Sequence, residues 1–372
     1  MTTVERLAPG DFVQVDLANN VVRMRDVGTG QIITLDLGPA DVHFERPLAT
    51  YAAGYALDRE NLIADQVSPV VLTPSASDYF YKWSKDDVFK RVKSAVAVPG
   101  GNVTEVSPQQ STVPFRTVQR AVRTSLPSEV QANADPAVVL GRRVLDMPLD
   151  KLLLERELLV AEKVTDPANY TAPYKRTLAI DERWNGGSKS NPVENLLERV
   201  EASLVPITGI AMSLRTYNAF STNAQVQKFV ASKTALKPRF GAIDANDFAA
   251  FLNLPPFIIG AQKYMGPSGV MDWVWGNNVV LFTKPKSMPP MGTPISFNTF
   301  RYTGGIASGV NAQQAANFGS VSIENGWGVR TYYDPNRGPQ GSKVCVAFVQ
   351  DDEFFVEEAV SGLIEGAWQT PP

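Results

Sequence analysis

The chain has one histidine, His43, and one cysteine, Cys345, among 372 residues. That scarcity excludes an intramolecular disulfide and any zinc set assembled from Cys and His within one copy. Nucleophilic catalysis would need His43 as its base or a rarer Ser-Lys route. His43 sits in DVHFERP, where the spacing predicts a loop or strand rather than a catalytic centre. The opening MTTVERLAPGDF has no apolar core of the signal-peptide kind, and no uncharged apolar run of membrane-spanning length occurs, so neither a secretion signal nor a membrane span is expected. Net charge is -3, from 35 basic and 38 acidic residues, so no whole-chain basic field marks a nucleic-acid reader. No phosphate-binding G-x-x-x-x-G-K-[ST] loop is present. With 44% hydrophobic residues the chain can instead bury a substantial core in two or three lobes.

What is present centres on residues 135–166. From Pro148 to Val164 the sequence is dense in Leu, Glu, Lys and Arg with no Gly or further Pro, which predicts a helix roughly 25 Å long. Pro148 suits its first turn, and Asp166-Pro167 supplies the stop. Lys151, Glu155 and Glu162 share one face, and Leu149, Leu153, Val160 and Val164 another. Leu152, Leu154, Leu158, Leu159 and Ala161 occupy much of the rest, which predicts a helix touched from several directions, either a core helix of an α+β domain or a spine between neighbouring subunits.

Upstream, DFVQVDL, VVRMRDV and QIITLDL alternate apolar and polar residues and predict three strands, with turns at 18–20 and 28–30. Gly28-Thr29-Gly30 lacks the third glycine and the helix of a dinucleotide loop, so a turn is the better reading. Residues 43–67 read either as an arm that lies across something or, equally, as a solvent-exposed connection. Residues 68–134 predict a long hairpin, with an aromatic-basic segment Tyr79–Lys85 on one rib, a turn at 98–102, and Val113–Val122 with Arg116 and Arg120 on the other. Aromatics interleaved with lysines would also suit stacking on single-stranded nucleic acid, but Asp86-Asp87 cancels the charge there.

Downstream, expected elements are a strand at 174–180, a helix capped by Asn191 with Pro192 in its first turn, a strand at 210–213, a helix over 214–231 and a short helix at 247–252. Strands follow at 257–260 and in 273–282, then a Gly/Asn-rich loop over 304–326. Gly328–Tyr333 pairs with Lys343–Phe348, and this alternating segment needs a further sheet partner. Carboxylates such as Asp351, Asp352 and Glu353 could do acid-base or metal work, yet they adjoin the apolar FFVEEAV, no second constellation joins them, and they read as a solvated strand start.

Taken in order, Trp184, NPVENLLERV, GIAMSLRTYNAF, DFAAFLNLPPFIIGAQKY and VWGNNVVLFTKP resemble the major capsid proteins of tailed bacteriophages, the Hong Kong 97 fold. The resemblance spans about residues 68–365. It implies an α+β fold with an amino-terminal arm (1–67), an extended β-hairpin loop (68–134), a peripheral domain with a spine helix (135–199), an axial domain (200–325) and return strands of the peripheral domain (326–372). It implies a structural, non-enzymatic protein without cofactors that assembles with itself as pentamers and hexamers into an icosahedral head around double-stranded DNA. Portal and scaffold or decoration proteins would be further partners, and DNA contact would be nonspecific. The location would be the virion, with assembly in the host cytoplasm. An encapsulin-type compartment shell is the alternative, and an enzyme with a carboxylate site a remote one. Lys82, Trp83, Lys85, Arg116 and Arg120 are expected to meet neighbouring subunits, with Glu155 and Glu162 on the spine as partners. Some relatives crosslink lysine to asparagine; Lys82 and Lys85 lie in the right loop, but no asparagine and acid partner is assignable.

Overall fold

In a computed structural model of the chain, the described residues are 13–16, 21–25, 32–36, 62–82, 89–91, 111–132, 140–186, 188–233, 245–285, 294–303, 322–324 and 326–369. The central helix runs Leu140–Thr165, so it begins eight residues before Pro148, which lies inside it rather than in its first turn. A proline there removes one ladder hydrogen bond. Val144 and Leu149, on either side of it, are buried in the same cluster, and that packing carries the helix through. The stop falls where the sequence puts it: Asp166 is extended (φ -67, ψ 114), and its carboxylate accepts the Ala168 N–H.

Within one chain the helix buries a single stripe: Leu149, Leu152, Leu153, Arg156, Glu157, Val160, Ala161 and Val164. The spacing of three and four is that of one helical face. Lys151, Glu155 and Glu162 are exposed, and Leu154, Leu158 and Leu159 are half-buried.

The stripe rests on two different sheets. Its amino-terminal half packs on a six-stranded sheet built around β17 (Ser342–Phe355). One path across it runs β15 (Ser322–Glu324), β16 (Trp327–Asp334), β17, β14 (Phe297–Tyr302), β4 (Val70–Thr73), and β7 (Val118–Pro127) also pairs with β17. β17 thus has three partners, the extra ones its alternation requires. Sequence reasoning missed β14 because its FNTFRY carries Asn298, Thr299 and Arg301, all buried, which hides the apolar pattern.

The carboxyl-terminal half of the stripe packs on a five-stranded sheet in the order β10 (Phe257–Gly260), β9 (Gly209–Ser213), β13 (Val279–Phe282), β18 (Gly362–Glu365), β8 (Lys175–Thr177). Its period-two alternation is complete. Ile210, Met212, Val279, Leu281 and Ile364 join a core with residues of the helices Pro192–Ala202, Leu214–Thr222, Ala224–Lys233 and Ala245–Leu252. Ala211, Val280, Phe282 and Leu363 join Val160, Ala161 and Val164 of the long helix. Both faces are covered, which is why these strands read as continuous apolar runs.

Two local expectations are corrected. The helix expected over 214–231 is two helices broken at Asn223 (φ -62, ψ 132), whose amide spans the break: Oδ1 accepts from Gln225 N–H, and Nδ2 donates to the Trp184 carbonyl and Ser190. Asn191 precedes its helix as expected, but its side chain bonds Glu194 instead of capping the backbone.

Two further units complete the description. β1 (Val13–Asp16), β2 (Val21–Arg25) and β3 (Ile32–Asp36) form the expected antiparallel meander. β5 (Ser77–Lys82) and β6 (Ser111–Arg116) pair antiparallel as the two ribs of a hairpin. Phe115 of β6 stacks on Phe300 of β14 at 4.1 Å and 13°, and Phe80 of β5 lies 5.3 Å from the same ring. A small hairpin, β11 (Lys263–Met265) with β12 (Met271–Trp273), follows β10. The turns at 18–20, 28–30 and 98–102 lie outside the described residues, as do His43 and most of the 43–67 and 304–326 segments.

Candidate functional site

The residues singled out for contact with neighbours fall around the hairpin and the long helix. Lys82, at the end of β5, pairs with Glu357 at 3.2 Å. Arg116, at the end of β6, is exposed, and its backbone N–H donates to Asp352. Arg120 of β7 lies 3.4 Å from Glu353 and 3.9 Å from Glu155 on the long helix. Glu162 has no ion-pair partner among the described residues. The structure therefore brings Arg120, Glu155 and Glu353 together, and gives Lys82 and Arg120 carboxylates of their own chain. Trp83 and Lys85 lie outside the described residues.

A second constellation escaped sequence reasoning. Where the stripe of the long helix passes from one sheet to the other, two consecutive charged residues are buried, Arg156 at 4% and Glu157 at 1% exposure. Arg156 donates Nε to Asp351 at 3.2 Å and Nη1 to Asp65 at 2.6 Å. Asp351 is held from its other side by Arg301, which donates Nε and Nη2 at 2.7 Å each. Burial opposes the Arg301 charge, but the Asp351 bonds and charge outweigh it and raise the affinity of the guanidinium for its proton.

Asp351 is therefore not a solvated strand start. It is 1% exposed because the Arg301–Asp351 cross-strand pair faces the underside of the long helix. Asp352, on the opposite face by alternation, takes the Arg116 N–H, and Glu353 takes Arg120. All three carboxylates are engaged by cations or backbone, and among the described residues no group of His, Cys, Asp or Glu is arranged to hold a metal ion.

Glu157 is the hub of the second half. Its carboxylate accepts the N–H groups of Ile63 at 2.9 Å and Ala64 at 2.8 Å, and the indole Nε1–H of Trp275 at 2.6 Å. Burial pushes its carboxyl above the ordinary range, against these three bonds and the Arg156 charge. The Ile63 and Ala64 amides open the short helix Ala64–Val67, so Glu157 serves as a cap supplied from a distant element.

Two glycines make room for the network. A Cβ on Gly260 would lie 2.4 Å from Cδ1 and 3.0 Å from Nε1 of Trp275. A Cβ on Gly326, which has φ +81, would lie 2.2 Å from Cγ of Arg301. The PFIIG and VWG segments thus meet: the glycine closing the first seats the tryptophan of the second. The signal for the buried pair was available, since positions 156 and 157 fall on the three-four spacing of the apolar stripe.

No protein-family model matches the chain, and no curated protein sequence matches it. Solved structures do. A phage-related protein from Bordetella bronchiseptica RB50 superposes with a TM-score of 0.64 at 19% identity, over 88% of this chain and 98% of that one. The capsid of cyanophage P-SCSP1u superposes with a TM-score of 0.52 at 9% identity, over 89% of this chain and 92% of its own subunit. At identities this low the likeness is one of architecture rather than of side chains. The chain has the α+β fold of the Hong Kong 97-like capsid proteins.

Proposed function

We propose that the chain is the major capsid protein of a tailed bacteriophage and assembles with itself, as pentamers and hexamers, into the icosahedral head that encloses double-stranded DNA. The observation that carries this reading is the end-to-end likeness to a phage-related protein and to a cyanophage capsid, at 98% and 92% coverage of those chains. The role is structural rather than enzymatic: Asp351 and Glu353 are held in internal ion pairs, and Asp352 accepts a backbone N–H. The site of action is the virion, reached by assembly in the host cytoplasm. Portal and scaffold or decoration proteins are its further partners, and its contact with packaged DNA is nonspecific.

The domains assigned from the resemblance follow the same reading, with the hairpin as the extended loop and the long helix as the spine. Contacts between subunits form through Lys82, Trp83 and Lys85, through Arg116 at the end of β6 and Arg120 of β7, and through Glu155 and Glu162 on the spine. Arg116 and Glu162 are the best placed, being exposed and without ion-pair partners among the described residues. A closed shell distributes its stability over many modest contacts, each exposed pair contributing about 0–1 kcal/mol.

Electron microscopy of the purified recombinant chain tests the reading. Shells, tubes or capsomers support it; a monodisperse monomer at high concentration overturns it. Alanine at Lys82, Lys85, Arg116 and Arg120 together tests the contacts: unchanged assembly and heat stability would remove them from the interface.

A further inference from the structure

We infer that the docking of the amino-terminal segment and the relative placement of the two sheets are a single coupled state, joined through Arg156 and Glu157. Each of these consecutive residues grips the segment with one set of bonds and a sheet with another. Glu157 takes the Ile63 and Ala64 amides on one side and, on the other, the indole of Trp275, in the turn that leads into β13 of the five-stranded sheet. Arg156 takes Asp65 on one side and Asp351, in β17 of the six-stranded sheet, on the other. Neighbours on a helix point about 100° apart, so one step of the backbone reaches both sheets at once.

The coupling follows from burial. Both side chains sit in the stripe between two apolar clusters, and water cannot readily replace the buried partners Trp275 and Asp351 if either moves away; only Asp65 is half-exposed. A shift of the five-stranded sheet that withdraws Trp275 leaves the carboxylate that caps residues 63–64 with one donor fewer. A shift of the six-stranded sheet that withdraws Asp351 leaves the guanidinium that holds Asp65 with one acceptor fewer. Coupling free energies are reciprocal, so pulling the segment away must loosen both sheets at the same step. Gly260 sharpens the arrangement, because the contact it allows with Trp275 fixes the indole in the position from which it reaches Glu157. The device resides in one chain and stands whether or not copies assemble.

The test is hydrogen exchange on the full chain, unassembled, read at residue level. Trp275→Phe keeps an aromatic ring and removes the donor. It is expected to speed exchange of the Ile63 and Ala64 amides at least tenfold, although these lie on another element. Asp65→Ala changes a side chain that is 53% exposed, so it leaves folding intact. It is expected to speed exchange of the Trp275 indole N–H and of the amides around Asp351 severalfold. If Trp275→Phe does not fold, Asp65→Ala decides alone. Exchange that changes only next to the substituted residue, with the distant groups at wild-type rates, overturns the inference.

Discussion

Arg301 faces Asp351 directly across β14 and β17 and donates two hydrogen bonds of 2.7 Å to its carboxylate, with both side chains almost wholly buried. Two parallel charge-assisted bonds of this kind fix register as well as energy. Arg156 completes the group from the long helix, so one carboxylate is shared by two guanidinium groups.

Asp351→Asn is expected to destabilise the unassembled chain by about 3–5 kcal/mol, because it leaves two buried cations facing a neutral amide. Asp65→Ala removes an outer partner of the same Arg156 and is expected to cost about 0–1 kcal/mol, since Asp65 is half-exposed. Urea denaturation of both variants checks the pair. Equal losses would mean that the Asp351 site is no more dependent on its charge than the surface.

Gly260→Ala places a methyl group where the Trp275 indole lies, and one of the two must move. Overpacking of this kind costs about 1–3 kcal/mol. The expected signature is a lower denaturation midpoint together with a shifted and faster-exchanging Trp275 indole N–H. A lower midpoint with an undisturbed indole would place the strain elsewhere.

The acid response follows from Glu157 and Glu353. Burial raises both carboxyls, against the Ile63, Trp275 and Ala64 hydrogen bonds for the first and the Arg120 charge for the second. The folded chain then binds these protons more tightly than the unfolded one, whose value is the ordinary 4.5. Their stabilising contribution is complete below that value and is lost as pH rises through the raised folded values. Glu157→Gln cannot titrate there, and its added donors face the amides of residues 63–64 at every pH. The stability difference between wild type and this variant is therefore expected to shift toward the variant as pH rises from the ordinary 4.5 through the raised Glu157 value. A difference that stays constant across that range, measured by urea titration, would contradict the raised Glu157 carboxyl.

Cys345, buried in β17 with its thiol pushed up to about 12, is expected to resist alkylation in the native chain at pH 8 and to react fully in urea. At that pH only about one thiol in ten thousand would be ionised. Mass spectrometry after a timed pulse of iodoacetamide reads the outcome, and rapid native labelling would reveal an opening of β17.

Much of the layer structure was legible because its elements obey one period each. The meander, β16 with β17, and the strands beginning at Gly209, Phe257 and Val279 alternate or run apolar, and the long helix has a proline-marked end. Legibility failed where tertiary packing overruled a local cue. Pro148 reads as a helix start but sits mid-helix, held by Val144 and Leu149. The strand Phe297–Tyr302 is disguised by polar residues whose partners lie elsewhere in sequence: Thr299 bonds Ser68, and Arg301 bonds Asp351. The hub failed for the same reason. Glu155 and Glu162 drew attention as exposed charges on the long helix, whereas Arg156 and Glu157 matter because charge is out of place on a buried face.

One topological fact bears on how the molecule comes into being. β4 pairs with β14 over 229 residues of sequence, and β7, made in the first third of the chain, has only β17 as a strand partner among the described residues. A ribosome therefore releases strands that must wait, unzipped, until the last fifth of the polypeptide emerges. Such long-range closure slows folding and leaves bare strand edges exposed in the interval, so nascent copies crowded on one message risk pairing with each other before they pair with themselves.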